Sequence, residues 1–129
     1  MKISELPNCP KWLSDADTVD ADVEWSPYET IWWNRGEFRG GAFLGGSFRG
    51  GSFWGDKLTR NPLSIYGLRW PVVISEKKMQ IGCERHQIED WAAFDDARIV
   101  QMDRGALKFW RAHKAQLMGL CETMKPGDE

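Results

Sequence analysis

Cys83 and His86 stand three residues apart in the stretch Gly82-Cys83-Glu84-Arg85-His86, and two chemistries use that spacing. A thiol beside an imidazole can serve as a nucleophile with its base, because the imidazole lowers the thiol pKa and accepts its proton. Glu89 or Asp90 would supply the third, orienting group. Cys-x-x-His is also half of a zinc site. His113 and Cys121 are the remaining imidazole and a further thiol, but eight helical residues set them about 12 Å apart, too far for one tetrahedral ion. No metal or cofactor is expected. The structural account of the pair makes Cys83 a small buried strand residue and His86 a polar residue at a hairpin-to-helix junction, with catalysis by Cys83 and His86 as the alternative.

A second constellation collects Arg35, Arg39, Arg49 and Arg60 with Trp32, Trp33 and Trp54. Guanidinium groups beside indole faces can clamp a small anionic, aromatic ligand such as a nucleotide. Trp and Arg are equally the residues enriched at protein interface hot spots, so a host protein is the leading partner and a nucleotide the alternative. Nucleic acid is disfavoured, because the chain as a whole is acidic, with 17 Lys plus Arg against 19 Asp plus Glu.

The element that carries these arginines has a period of five: Gly36-Glu37-Phe38-Arg39-Gly40, Gly41-Ala42-Phe43-Leu44-Gly45, Gly46-Ser47-Phe48-Arg49-Gly50 and Gly51-Ser52-Phe53-Trp54-Gly55. Tyr28 and Trp33 precede Phe38 at the same spacing, and Leu58 and Leu63 follow Phe53. Such self-similarity marks an internal repeat. Five fits neither a helix nor a flat strand, because an odd period turns successive aromatics to opposite faces of a sheet. The glycine pairs must bend the chain once per unit, aiming the central Phe inward and Arg39, Leu44, Arg49 and Trp54 outward.

In this pattern the chain resembles pentapeptide-repeat proteins, whose family fold is a four-sided right-handed β-helix with one pentapeptide per side. Gly replaces the family's usual first-position Ala, and Glu, Ala or Ser replaces its second-position Asn or Asp. The chain is more similar to the Gly-x-Phe/Trp-x-Gly tracts of small uncharacterised phage and prophage proteins. In those proteins the tract is followed by a stretch resembling Ile74-Ser75, then Met79-Gln80-Ile81-Gly82-Cys83 with His86 and Trp91. The two resemblances cover residues 28 to about 115. They imply a phage origin and carry no function; the Arg and Trp wall and the lack of a convincing catalytic constellation lead to the expectation of stoichiometric binding that inhibits a host antiviral-defence factor, with a virion accessory role as an alternative. At four units per turn the tract makes fewer than two turns, below the three or so repeats a solenoid needs. It must lean on the C-terminal segment or on a second copy, and a homo-oligomer is expected.

After Asn61-Pro62 the composition changes. Trp70–Ser75 and Met79–Cys83, joined by Glu76-Lys77-Lys78, predict a β-hairpin, with Pro71 holding the first strand to an edge or to its start. From Gln87 the periodicity is helical. Ile88, Trp91 and Ala92 form one face, and Asp95 or Asp96 caps 97–102. Asp103 caps a longer helix striped by Ala106, Leu107, Trp110, Lys114, Leu117, Leu120, Cys121 and Met124. Lys125-Pro126-Gly127 ends it. The stripe is expected to cover an open face of the β-coil, burying Trp110 and Leu117.

The 129 residues are one domain's worth. The expected fold is α+β: a short pentapeptide-like β-coil or Gly-bent β-sheet, a β-hairpin, and two to three C-terminal helices packed on it. Its parts are an acidic segment over 1–27, the β tract over 28–63, and the hairpin and helices over 64–129. Residues 1–30 hold seven acids and two bases, whereas 31–60 hold five bases and two acids; the acidic run is either a solvated segment or a cover for the basic tract. Lys2 is followed closely by Glu5, Pro7 and Pro10 rather than by an apolar run, so no signal peptide is read and the host cytoplasm is expected. No run of about 20 apolar residues offers a membrane span. Cys9, Cys83 and Cys121, odd in number and widely spaced, predict free thiols.

Overall fold

Two aromatics five residues apart on one strand face opposite sides unless the strand is bent between them. In the computed structural model, which describes residues 1–125, that bend falls at Gly36. Strand β1 (Asp17–Trp25) pairs antiparallel with β2 (Ile31–Gly40). Between the partner pairs Val19–Glu37 and Asp22–Arg35, Asp20 and Ala21 lie opposite Gly36 alone. This is a bulge, with two residues set against one. Gly36 has φ +93°, and a Cβ there would sit 2.5 Å from the Asp20 carbonyl oxygen, so only glycine fits. The bulge resets the alternation, and Trp33 and Phe38 are both buried.

The chain then turns through 41–46 and returns along β2. Strand β3 (Ser47–Phe48) lies parallel to the first half of β2, Phe48 beside Trp33, and β4 (Ser52–Phe53) lies parallel to the second half, Phe53 beside Phe38. Each return takes fifteen residues, three pentapeptides rather than the four of the resembled family. The buried rings form one contact network. Phe38 and Phe53 stack at 5.0 Å with an 18° interplanar angle. Phe43 meets Phe38 at 5.7 Å and Phe53 at 5.2 Å, edge to face. Phe48 is half-buried but touches Trp33, Phe43 and Phe53. Edge-to-face and offset pairs of this kind add about 0.5–1.5 kcal/mol each beyond area burial.

Two expected members leave the series. Tyr28 is 82% exposed, because it sits in the turn Ser26–Thr30 between β1 and β2, held by Ser26 Oγ accepting from the Tyr28 and Thr30 amides. Trp54 points inward, not outward. β4 reverses into β5 (Asp56–Lys57) through the two-residue loop Trp54-Gly55, both at positive φ (53° and 84°), as a type I′ hairpin requires. That turn folds the Trp54 ring back onto Phe53 at 4.4 Å.

The acidic segment covers the basic tract: β1 is the outer strand of this sheet, whose order is β1-β2-β4-β5 with β3 also on β2. The chain's own residues 17–25 flank the tract by pairing along β2.

Two compact units divide at Asn61 and Pro62. The second begins with a four-stranded antiparallel sheet in sequence order: β6 (Leu63–Ile65), β7 (Val72–Ile74), β8 (Lys78–Ile81) and β9 (Glu84–Gln87). β7 and β8 are the predicted hairpin. Pro71 marks the start of β7 but not a sheet edge, since β6 covers that side. β8 stops at Ile81, two residues short of expectation. Gly82-Cys83 forms a two-residue loop to β9, with Gly82 at φ +59° in the first loop position, as a type II′ turn favours. Cys83 is therefore an exposed hairpin tip rather than a buried strand residue, and His86 lies within β9.

Helix α2 (Ile88–Ala93) buries Ile88 and Trp91, and the Trp91 indole donates to the Met79 carbonyl at 2.8 Å, tying α2 to β8. In α3 (Asp96–Val100) the N-cap is Asp95, whose Oδ1 accepts from the Arg98 amide. Asp103 does not cap α4 (Ala106–Met124), which starts after Gly105; its carboxylate accepts from the Gly105 amide instead. Along α4 the buried face is Ala106, Phe109, Trp110, Leu117, Cys121 and Met124, whereas Leu107 and Leu120 are half-buried and Lys114 is exposed. That face packs into one core with Val72, Ile74, Met79 and Ile81, so the helix covers the sheet of its own unit. Pro126 and Gly127, expected to end it, lie outside the described residues.

Candidate functional site

The Arg and Trp constellation separates into a core and a surface. Trp33, in the inward register of the repeat, is buried and its indole donates to the Gly36 carbonyl at 3.2 Å. Trp54 is buried by the hairpin turn. Neither belongs to a binding wall. Trp32, one residue out of register, is half-buried, and the Arg49 guanidinium lies 4.4 Å over its ring. Arg49 donates to Glu24 Oε1 at 3.3 Å, and Asn34 donates to the same oxygen at 3.2 Å. β1, β2 and the segment after β3 thus converge on one cluster of Glu24, Trp32, Asn34 and Arg49. The other arginines are also beside acids: Arg35 is 3.6 Å from Asp22, and Arg39 is 3.4 Å from Glu37. Arg60 is exposed. Asp22 is held below the ordinary carboxylate range, chiefly by accepting a hydrogen bond from the Met1 ammonium, with a smaller contribution from Arg35.

The structure does not join Cys83 to His86. Strand neighbours two apart share a face, and the His86 Nε2 stands 3.5 Å from Glu84 Oε1. Its ring is enclosed edge-on by Trp91 at 5.2 Å and Phe94 at 5.0 Å. Cys83, in the turn, makes no side-chain hydrogen bond to His86. Among the described residues no three His, Cys, Asp or Glu side chains gather as a metal site. Cys121 is fully buried, its thiol 3.8 Å from the Met79 sulfur and pushed up to about 11 by burial. His113 packs on Phe109 at 4.7 Å.

Cys83 has other neighbours. It stands on the rim of a cavity of about 70 Å³, with Glu84 and Asp103 also at the rim, Trp70 in the wall, and Trp91, Ile99, Phe109 and Trp110 buried beneath. The β8–β9 hairpin tip and the start of α4 enclose it. No spacing in the sequence signals this site. It forms because a loop of two residues projects Cys83 toward a helix more than twenty residues further along the chain.

No protein-family model matches the chain, and neither a curated protein nor a solved structure matches it. No helix among the described residues is long and apolar enough to cross a membrane.

Proposed function

We propose that this is a non-enzymatic protein of phage or prophage origin that acts in the host cytoplasm, inhibiting a host antiviral-defence factor by stoichiometric binding through the Trp32–Arg49 face. The observation that carries this reading is the Arg49 guanidinium laid over Trp32 and fixed by Glu24 at an accessible surface. Trp and Arg dominate interface hot spots, and a side chain already held in place loses less entropy on binding. The origin rests on the resemblance of the Gly-aromatic tract, which we read as a short three-sided β-coil on the strength of its fifteen-residue parallel returns.

The pairing of Arg35, Arg39 and Arg49 with Asp22, Glu37 and Glu24 favours a protein over a free nucleotide. An anion would have to displace a carboxylate at each arginine, whereas a protein surface can meet guanidinium and carboxylate together. The test is a plaque assay in defence-bearing bacteria that express the protein. Trp32→Ala and Arg49→Ala are each expected to remove protection of the phage; Arg49→Ala should leave the melting temperature within about 3 °C, as exposed ion pairs contribute little, whereas Trp32→Ala, which removes a half-buried ring, should lower it while keeping the folded circular dichroism spectrum. Full protection by both variants would refute the assignment of this face.

A further inference from the structure

Along α4, five exposed residues recur at alternating spacings of four and three: Lys108, Ala112, Ala115, Gly119 and Glu122. That spacing holds them in one row on the side of the helix away from its buried stripe, and a row of this period is the seam of a helix pair. We propose that the row is an interface on which α4 packs antiparallel against α4 of a second copy of this chain, about a two-fold axis at Ala115. The interface is independent of the Trp32–Arg49 face.

The charges at the two ends of the row commit it to a second copy. The first turn of α4 carries no acid and the last no base, although the helix dipole favours acids at the start and bases at the end. Lys108 stands at the start and Glu122 at the end, each opposed by the dipole of its own helix. Lys108 has Arg111 three residues on, and no acid lies from 104 to 121. Glu122 accepts from Lys125 at 2.8 Å, but both side chains are more than half exposed. An antiparallel partner corrects both ends, because it brings its own Glu122 and C-terminal carbonyls to Lys108, and the two-fold axis repeats the contact.

The register is symmetric. Lys108 and Glu122 each lie seven residues from Ala115, about 10.5 Å along the helix. With Ala115 on the axis, each Lys108 is level with the other copy's Glu122, and each Ala112 lies within one residue of the other copy's Gly119. Gly119 has no reason within its own chain. Glycine is the poorest helix former after proline, this one has no positive φ, and a Cβ there would meet nothing within 4 Å. Against a second helix it admits close backbone approach. A seam of about 21 Å lined by small side chains buries less than a standard interface, so the dimer belongs to the weak class.

The experiment is sedimentation equilibrium of the whole protein from about 1 μM to about 1 mM, where a monomer–dimer equilibrium with a Kd of tens to hundreds of micromolar is expected. Lys108→Glu and Glu122→Lys each set like charges level across the axis and should weaken the dimer about tenfold or more. Each also removes a charge that its own dipole opposes, so neither monomer should melt below the parent. Both changes in one chain restore opposite charges and should dimerise at least about fivefold more tightly than either alone. Ala115→Glu, which sets two carboxylates against each other on the axis, should leave only monomer. A parent that stays monomeric throughout, a dimer that survives Ala115→Glu, single reversals without effect, or a double reversal no tighter than the single ones would each overturn the assignment.

Discussion

Replacing Gly51 by alanine tests the central feature of the first unit, the return of the chain onto β2. Gly51 has φ +81°, and an alanine Cβ would stand 2.2 Å from the Gly36 carbonyl oxygen. The left-handed conformation alone costs about 1–2 kcal/mol for a residue with a Cβ. Relieving the contact requires β2 and β4 to separate by more than an ångström. That weakens the Trp54 amide to Phe38 carbonyl hydrogen bond of 2.7 Å, about 0.5–1.5 kcal/mol net. It also unseats the Phe38–Phe53 stack, about as much again. The total is about 2–5 kcal/mol, or roughly 10 °C or more in a unit of this size. Two other glycines separate the causes. Gly55, at φ +84° with open space around it, should lose only the conformational part when changed to alanine, about 1–2 kcal/mol. Gly40 has neither a positive φ nor a neighbour within 4 Å, and Gly40→Ala should be neutral or stabilising by up to about 1 kcal/mol. Thermal unfolding followed by near-ultraviolet circular dichroism reads all three. If Gly51→Ala melts within about 2 °C of Gly55→Ala, the close approach of the two strands is absent in solution.

Two predictions concern the second unit. Burial raises the Cys121 pKa to about 11, so its thiol contributes fully to stability below the unfolded value near 9. That contribution, about 2–3 kcal/mol, is lost as pH rises toward 11. Urea midpoints from pH 8 to 11 should fall more steeply in the parent than in Cys121→Ala, and parallel slopes would contradict the assignment. Asp95→Ala removes the acceptor for the Arg98 amide and should cost about 1 kcal/mol, with Asp95→Asn restoring most of it in the same denaturation assay.

The repeat was legible because five is incompatible with regular strand alternation, and the glycines and inward aromatics were where that conflict demanded them. How many units closed a return was not legible, since the offset depends on which strands pair across fifteen residues rather than on the content of any one unit. Trp54 looked like a variable outward position until the I′ turn at Trp54-Gly55 reversed it, and nothing in the repeat distinguishes its last unit from the others. The β7–β8 hairpin and the three C-terminal helices were readable from β-branched runs, helical spacing and the Asp95 cap. β9, made of Glu84, Arg85, His86 and Gln87, carries no apolar alternation because it is an edge strand, and charged edges are common. Missing that strand put Cys83 in the wrong environment and hid the cavity behind it. Of the seven residues expected in the binding wall, Trp32 and Arg49 converge with Glu24. That convergence depends on β1–β2 register, which the acidic run only hinted at.

The pairing of β1 acids with β2 arginines has a kinetic consequence. Within a Debye length of about 8 Å at physiological salt, Arg35, Arg39 and Arg49 are each offset by a carboxylate. This face projects little net field into solution, and an approaching partner is not steered from a distance. Association should run at the unassisted rate of about 10⁵–10⁶ M⁻¹s⁻¹ and change little with added salt. For the binding proposed above, the lifetime of the complex rather than the speed of encounter would then set the affinity.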